Sequence, residues 1–578
     1  MTRRTSPKGK QNIPVAKEPI KQPQNPRDNH KKKRLTLIIA GAGALAVSLT
    51  IYLLRLDQVA GLTVDDAWYV LLAKALATGQ GYTLINSPTP GISPFYAPAF
   101  PALLSIFYRL SPNFPDNVWL LKSVSIAAMI GAGLIAFRYF NRQRALPIYV
   151  AFALAFATTI YPALVFLATS SVMSECAFTL AQLATIFLIE KSVSRDATGG
   201  VIPSAWRYAA IGGALASFAF LTRPAGLGLL IGTVIYLFKE KLPKQALVFA
   251  AIVALLVGPW TLYSRAHVPT PEQRAEQGAN IVQPYTTQFW QRVAGQPLSG
   301  TITIEDVPER VWNNLSEIGR FDFGAFVFYS LYRPLEPGEP IRVPNEARMI
   351  SLFIALLALA GYIATVRERL TLVEIVMPLA MGVSILWGWE QYRLLLPFVP
   401  FMFFYLLMGV RLIARLYQKL YAGPYPRSEL IPLLIVSWLL AISGIYSNYQ
   451  YIQRRFDPVP ENRSRWIATF EENEAFIKYI GENVPKEAVI ATQNPALVNL
   501  YTGHKTVASD DPDSHWETWN RIGVRYLART SPYQLPRPDA NESKYRTVYR
   551  SSGGLGLRLI DLGPPSSRPA WSGAATSR

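Results

Sequence analysis

Two adjacent carboxylates, Asp65 and Asp66, head a short apolar-periodic stretch inside DQVAGLTVDDAWYVLLAKALATGQGYTLINSPTPGISPFYAPAFP, residues 57–101. An aspartate there can act as a general base toward an acceptor hydroxyl or amine, while its neighbour holds a divalent cation or fixes geometry. Plain helix capping suits the pair as well: Thr63-Val64-Asp65-Asp66 fits a Ser/Thr-x-x-Asp/Glu box, and acids favour a helix N-terminus. Capping accounts for one aspartate; two of them beside a Pro/aromatic loop leave both readings open. Glu175, in Ser170-Ser171-Val172-Met173-Ser174-Glu175, is either another helix-start acid or a second carboxylate facing the first across a cavity. Arg223 (LTRPAG), Arg265 (PWTLYSR) and Arg393 (EQYRLLLPFVP) bring the opposite charge. A guanidinium fork suits a phosphate ester; the alternatives are pairing with local acids such as Glu390 or snorkelling to lipid headgroups. Lys74, on the stretch after the aspartates, is a further cation, although a helix lysine is usually a solvated face.

The elements that must position these residues are membrane spans. The 578-residue chain is 50% hydrophobic and 16% charged, with mean hydropathy +0.18, whereas soluble domains carry about 25% charged residues. A formal charge of +19 would suggest nucleic acid in a soluble chain. Here the basic residues cluster at the ends of apolar runs, so topology accounts for them and no nucleic-acid partner is expected. The single cysteine, Cys176, excludes an intramolecular disulfide and a Cys-based metal site. His30, His267, His504 and His515 form no ligand motif.

Residues 1–34 are polar, Pro-rich and basic, and read as a disordered cytoplasmic tail. The run 35–54 (LTLIIAGAGALAVSLTIYLL) matches the ~20 residues that cross a bilayer core and is too long for a signal peptide. Further spans are expected near 118–137, 146–162, 172–190, 208–222, 225–238, 245–263, 349–366, 371–387, 394–410 and 429–447. Every second connection is basic (Arg138, Arg142 and Arg144; Lys239, Lys241 and Lys244; Arg411, Arg415 and Lys419, among others), as about 11 spans with the N-terminus inside require. That topology puts the loops 55–117 and 264–348, and everything after 447, outside. Residues 448–565 alternate helical and strand patterns and are expected to form a small extracytoplasmic α/β domain, with strands near 488–492, 505–508, 524–527, 545–549 and 555–562; 566–578 reads as a disordered tail.

Basic tail, first span, outer loop with VDDAWY and then FYAPAFPALL resemble the GT-C glycosyltransferases, and within them the dolichyl-phosphate-mannose–protein mannosyltransferase-like group that includes the aminoarabinose transferases of lipid A. SE at Ser174-Glu175, LTRPAG, PWTLYSR, QYRLLLPFVP and the segment VPKEAVIATQNPALVNLYTG (Val484–Gly503) with the later GVRYLA extend the likeness over nearly the whole chain after residue 35. The resemblance implies a mainly α polytopic membrane protein of GT-C architecture in a bacterial inner membrane. It implies transfer of a sugar from a polyprenyl-phosphate donor to an extracytoplasmic lipid, glycan or protein acceptor, among membrane lipids. It makes Asp65 the catalytic base assisted by Asp66, Glu175 a second acid of the cavity and a possible ligand of Mg, Mn or Zn, and Arg265, Arg393 and Arg223 the holders of the lipid phosphate. One departure stands out: the aminoarabinose transferases carry a Glu-Lys pair before the prolines of this loop, where this chain has Tyr96-Ala97-Pro98. That makes Tyr96 the residue to test and puts the aminoarabinose substrate and metal dependence in doubt. A transporter or flippase for a lipid-linked sugar is the alternative. It would use the same arginines without a base, but the paired broken helices of two related halves are not evident.

Overall fold

In the computed structural model the described residues are 26–565, apart from 196–199, 201, 278, 295, 297–298, 422–428, 510–511, 533–534 and 536–540. The expected tails lie outside them over 1–25 and 566–578. The chain divides into two compact units, Met1–Leu49 and Thr50–Arg578. The first helix, α1 (Pro26–Arg55), begins inside the stretch read as a tail and contains the apolar run Leu35–Arg55.

Within the second unit the helices follow as α2 (Asp65–Ala77), α3 (Ala99–Leu110), α4 (Val118–Arg138), α5 (Ile148–Thr159), α6 (Pro162–Thr169), α7 (Glu175–Ser192), α8 (Ala205–Thr222), α9 (Leu227–Lys239) and α10 (Pro243–Ala266). Short helices occur within 271–332 among the described residues, and Asn345–Glu368, Leu372–Leu386, Gln391–Leu395, Val399–Tyr421 and Leu430–Arg455 complete the bundle. Among the described residues six helices are long and apolar enough to cross a membrane, or seven if the bent pair α5–α6 is one span. The 43° bend falls at Tyr161-Pro162, where the proline lacks an N–H and pushes Tyr161 out of helical geometry (φ −59°, ψ 122°). The four remaining expected spans are all helices, namely α7, α8, α9 and Leu372–Leu386, but they are too short or too polar to meet the same test of length and composition. The physical reason is clearest at α7, where Glu175, Gln182, Thr185 and Glu190 are buried among other helices rather than turned to lipid.

Small residues let helices approach closely. A Cβ on Gly361 would lie 2.0 Å from the Tyr405 carbonyl, and one on Gly409 2.1 Å from that of Leu357. This crossing seats Asn345–Glu368 against Val399–Tyr421, the helix that continues from the QYRLLLPFVP corner.

Beyond residue 455 the chain forms an α/β layer. Its strands β1 (Val489–Thr492), β2 (Thr506–Ala508), β3 (Val524–Arg529), β4 (Arg546–Arg550) and β5 (Arg558–Asp561) pair in the order β2-β1-β3-β5-β4. The β1 pairings with β2 and β3 are parallel, and β5 is antiparallel to β3 and β4. Phe476, Ile480, Val498 and Leu557 belong to one apolar cluster against the sheet, and Val507, Trp519, Leu527 and Ile560 to a second. The strands fall where the alternating pattern predicts them; the helix Pro512–Ile522 was not expected.

Candidate active site

The turn before α2 aims Asp65. The Asp65 N–H donates to the Thr63 carbonyl at 2.8 Å across Val64, whose φ of 66° and ψ of −58° form a γ-turn that a β-branched residue rarely adopts. No side chain caps α2, so the box expected over 63–66 is not the device that starts the helix. Asp66 folds back instead. Its Oδ2 accepts from Gly61 N at 2.7 Å and its Oδ1 from Ala67 N at 2.9 Å. The side chain is fully buried, which pushes its carboxyl above the ordinary range. Asp66 does not line the cavity described below.

α2 is covered almost all round, not along the single stripe that its sequence suggests. α3 lies on one flank, with the Tyr69 and Phe100 rings edge to face at 5.2 Å. The helix Pro495–Thr502 of the sheet region also packs on it. Lys74 stays half-buried and outside the cavity lining.

Arg223 is placed by the residue after it. Proline disfavours helical geometry in the residue before it; Arg223 is extended (φ −148°, ψ 130°) and ends α8. Glu175 starts α7 and is completely buried. Arg393 stands on the short helix Gln391–Leu395, before Pro397.

These residues, spread over more than three hundred positions of sequence, form one chain of hydrogen bonds and ion pairs. Tyr96 Oη donates to Asp65 Oδ1 at 2.5 Å, and Arg393 Nη2 donates to Asp65 Oδ2 at 2.7 Å. Arg393 Nε reaches Glu175 Oε1 at 2.7 Å, and Arg223 Nη1 reaches the same oxygen at 2.8 Å. Arg223 also donates to Ser174 Oγ at 3.2 Å, and that hydroxyl meets the Tyr69 phenol at 3.2 Å. Two carboxylates and two guanidinium groups therefore balance. Burial and the neighbouring Asp65 charge hold the Tyr96 phenol well above its ordinary pKa, and burial raises that of Tyr69 to about 12. Both remain proton donors at neutral pH. Tyr82 fixes the Tyr96 backbone by donating to its carbonyl at 2.9 Å.

Asp65, Arg223 and Arg393 open onto a cavity of about 330 Å³ whose other walls include Tyr69, Tyr96, Tyr285, Leu227, Val383, Trp387, Trp389 and Leu394. The lining thus combines a carboxylate and two guanidinium groups with aromatic and aliphatic side chains, a composition suited to a ligand with an anionic head and an apolar tail. Of the residues singled out from sequence, Asp65, Tyr96, Glu175, Arg223 and Arg393 are brought together. Arg265 is exposed near the end of α10, outside this group; its motif neighbours Trp260 and Tyr263 pack instead on Tyr82 and Ser93. Tyr69 and Tyr285 were not singled out. Tyr69 lies within VDDAWY, whereas nothing in the sequence around Tyr285 marks it.

The residues do not fit a divalent cation held by Glu175. Its Oε1 is taken by two guanidinium groups, and Arg393 stands between it and Asp65. Its Oε2 is buried without a partner among the described residues, but it is a single oxygen. Among the described residues no three His, Cys, Asp or Glu side chains gather as a ligand set.

No family model matches the chain, and no curated protein matches it. Among solved structures it is similar to ArnT from Cupriavidus metallidurans in the apo state (14% identity, 90% of this chain and 97% of that one, TM-score 0.48). The form of ArnT bound to undecaprenyl phosphate gives 13% identity over the same shares, with a TM-score of 0.45. The Archaeoglobus fulgidus oligosaccharyltransferase tethered with an acceptor peptide gives 12% identity over 84% of this chain and 68% of that one, with a TM-score of 0.47; another structure of that enzyme is a complex with zinc and sulfate.

Proposed function

We propose that the chain is an integral-membrane glycosyltransferase that moves a sugar from a polyprenyl-phosphate donor to an extracytoplasmic acceptor, with Asp65 as the general base. The observation that carries this reading is the chain Tyr96–Asp65–Arg393–Glu175–Arg223 beside a cavity lined by both charged and apolar side chains. The ordered motifs from VDDAWY to QYRLLLPFVP support it. The bent pair and the four shorter helices complete the eleven-span reading, with the N-terminus cytoplasmic and 448–565 outside a bacterial inner membrane.

The chemistry follows from the charges. Both Asp65 oxygens accept hydrogen bonds, from Tyr96 and Arg393, which weakens the carboxylate as a base. A lipid phosphate competes with Asp65 for Arg393, and as that guanidinium turns to the phosphate, Oδ2 becomes free to receive a proton. The acceptor oxygen or nitrogen then bonds to the anomeric carbon while the bond from that carbon to the phosphate oxygen breaks. The acceptor proton passes to Asp65, and the electron pair leaves with the polyprenyl phosphate, whose charge Arg223 and Arg393 hold. A single displacement of this kind inverts the anomeric configuration. Tyr96 keeps Asp65 oriented through Oδ1, and Glu175 spaces the two arginines.

The test incubates membranes containing the protein with polyprenyl phosphates that carry radiolabelled mannose, glucose or an aminopentose. Transfer predicts label on an acceptor and one polyprenyl phosphate released per sugar. Donor that crosses the membrane uncleaved, with no labelled acceptor, would replace this reading with that of a transporter.

A further inference from the structure

Gly61 lies four residues before Asp65 and is held from both sides. Its φ is +97°, and a Cβ there would sit 2.5 Å from Leu497 Cδ1, so the Gly61 backbone passes directly against the Leu497 side chain of the helix Pro495–Thr502. Asn494, the residue before that helix, uses both ends of its amide. Oδ1 accepts from Leu497 N at 3.2 Å and caps its own helix, while Nδ2 donates to the Gly61 carbonyl at 2.6 Å. On the other side of the same residue, Gly61 N donates to Asp66 Oδ2 at 2.7 Å. Asn494 is 5% exposed and Asp66 fully buried, so neither bond competes with bulk water. Between these two anchors lies the γ-turn at Val64, a strained conformation that persists only where the surroundings hold it.

We propose that Asn494 is a positioning residue for Asp65: its amide, acting through Gly61 and Asp66, holds the strained turn that sets the carboxylate against Tyr96 and Arg393. The inference rests on the reading of Asp65 as the base. It gives the sheet region a part in the reaction site, because the only residue of that region bonded to Gly61 among the described residues is the one that caps the helix packed on α2. Geometry of this kind matters to rate, since a displacement of about 1 Å at a reacting group costs roughly 100-fold.

Two variants of the full-length protein isolate the effect. Asn494→Asp keeps an acceptor for Leu497 N but sets an oxygen against the Gly61 carbonyl. Asn494→Ser keeps a cap and is too short to reach Gly61. One readout needs no substrate: amide hydrogen exchange over 57–70, with α3 as the internal reference. The other is steady-state transfer from the same labelled donors, normalised to folded protein. Both variants should exchange at least tenfold faster across 61–66 with α3 unchanged, and kcat should fall tenfold or more while KM for the donor stays within twofold. Exchange equal to wild type overturns the latch. Faster exchange with unaltered kcat overturns the link to Asp65 and leaves a purely structural contact. Faster exchange in the variants, together with a wild type that transfers no sugar from any donor, sinks the transferase reading while the latch itself stands.

Discussion

Arg393→Met removes two charge-assisted hydrogen bonds at once, to Glu175 Oε1 and to Asp65 Oδ2, both at 2.7 Å. Hydrogen bonds to charged groups are worth about 1.5–3 kcal/mol each. The Arg393 side chain is 22% exposed and that of Asp65 27%, so solvent screening trims the second bond and the two together come to about 3 kcal/mol. Arg223 still neutralises Glu175 at 2.8 Å, so the expected loss of stability is smaller, about 1–2 kcal/mol, and the protein folds. The transition state loses more. If the guanidinium moves to the leaving phosphate, its absence costs about 3 kcal/mol there, which is roughly a 100-fold fall in kcat/KM. Arg393→Lys keeps the charge but has one nitrogen where the fork uses two, and should fall between wild type and Met. The assay is the initial rate of transfer over a range of donor concentrations, normalised to folded protein by thermal melting. An Arg393→Met enzyme within threefold of wild type would show that this arginine neither holds the phosphate nor gates the base.

Tyr96→Phe removes one donor from Asp65 and should slow transfer about tenfold, the scale of one hydrogen bond. The same change tests a pH effect. The folded protein keeps the Tyr96 proton that the unfolded chain gives up near pH 10, so stability is whole below that pH and is lost as pH rises through the raised folded pKa. The melting temperature of Tyr96→Phe should therefore drop less steeply above pH 10 than that of wild type; parallel curves would contradict the assignment. Arg265→Ala, at an exposed position outside the ion-pair chain, should lower kcat/KM less than Arg393→Met does, and an equal or larger loss would restore it to the phosphate site. Treatment with EDTA should leave transfer within twofold, because Arg393 already bridges Asp65 and Glu175. A tenfold fall restored by Mg, Mn or Zn would mean that the arginine yields to a metal ion in the working enzyme.

Hydropathy made the long lipid-facing helices legible, because each is an apolar run of spanning length flanked by charge. It carries less about α7, whose burial inside the bundle frees it to hold Glu175, Gln182 and Glu190. The sheet was legible from alternating short apolar runs between turn residues. Its topology was not, because β3 pairs with β1 and β5 through contacts that no local pattern encodes. At the site, residue type pointed to Asp65, Glu175, Arg223 and Arg393, since charge next to an apolar segment is costly unless partnered. The pairing itself was hidden, because Arg393 and Asp65 are separated by more than three hundred residues. The two aspartates looked equivalent in sequence, and only the backward fold of Asp66 onto Gly61 separates a carboxylate that builds the turn from one that faces the cavity. The γ-turn at Val64 was illegible for a general reason: valine gives no propensity signal for a conformation it is forced into.

The central claim is tested most directly by Asp65→Asn and Asp65→Glu, measured for donor binding and for transfer in the same preparation. Asparagine keeps an acceptor for the Tyr96 phenol but cannot take a proton, so binding of the labelled polyprenyl-phosphate sugar should persist while transfer falls about 100-fold or more, the scale of general-base catalysis. Glutamate retains the proton-accepting group on a longer arm and should recover part of the rate. Transfer by Asp65→Asn at the wild-type rate, with binding intact, would contradict the assignment of Asp65 as the base.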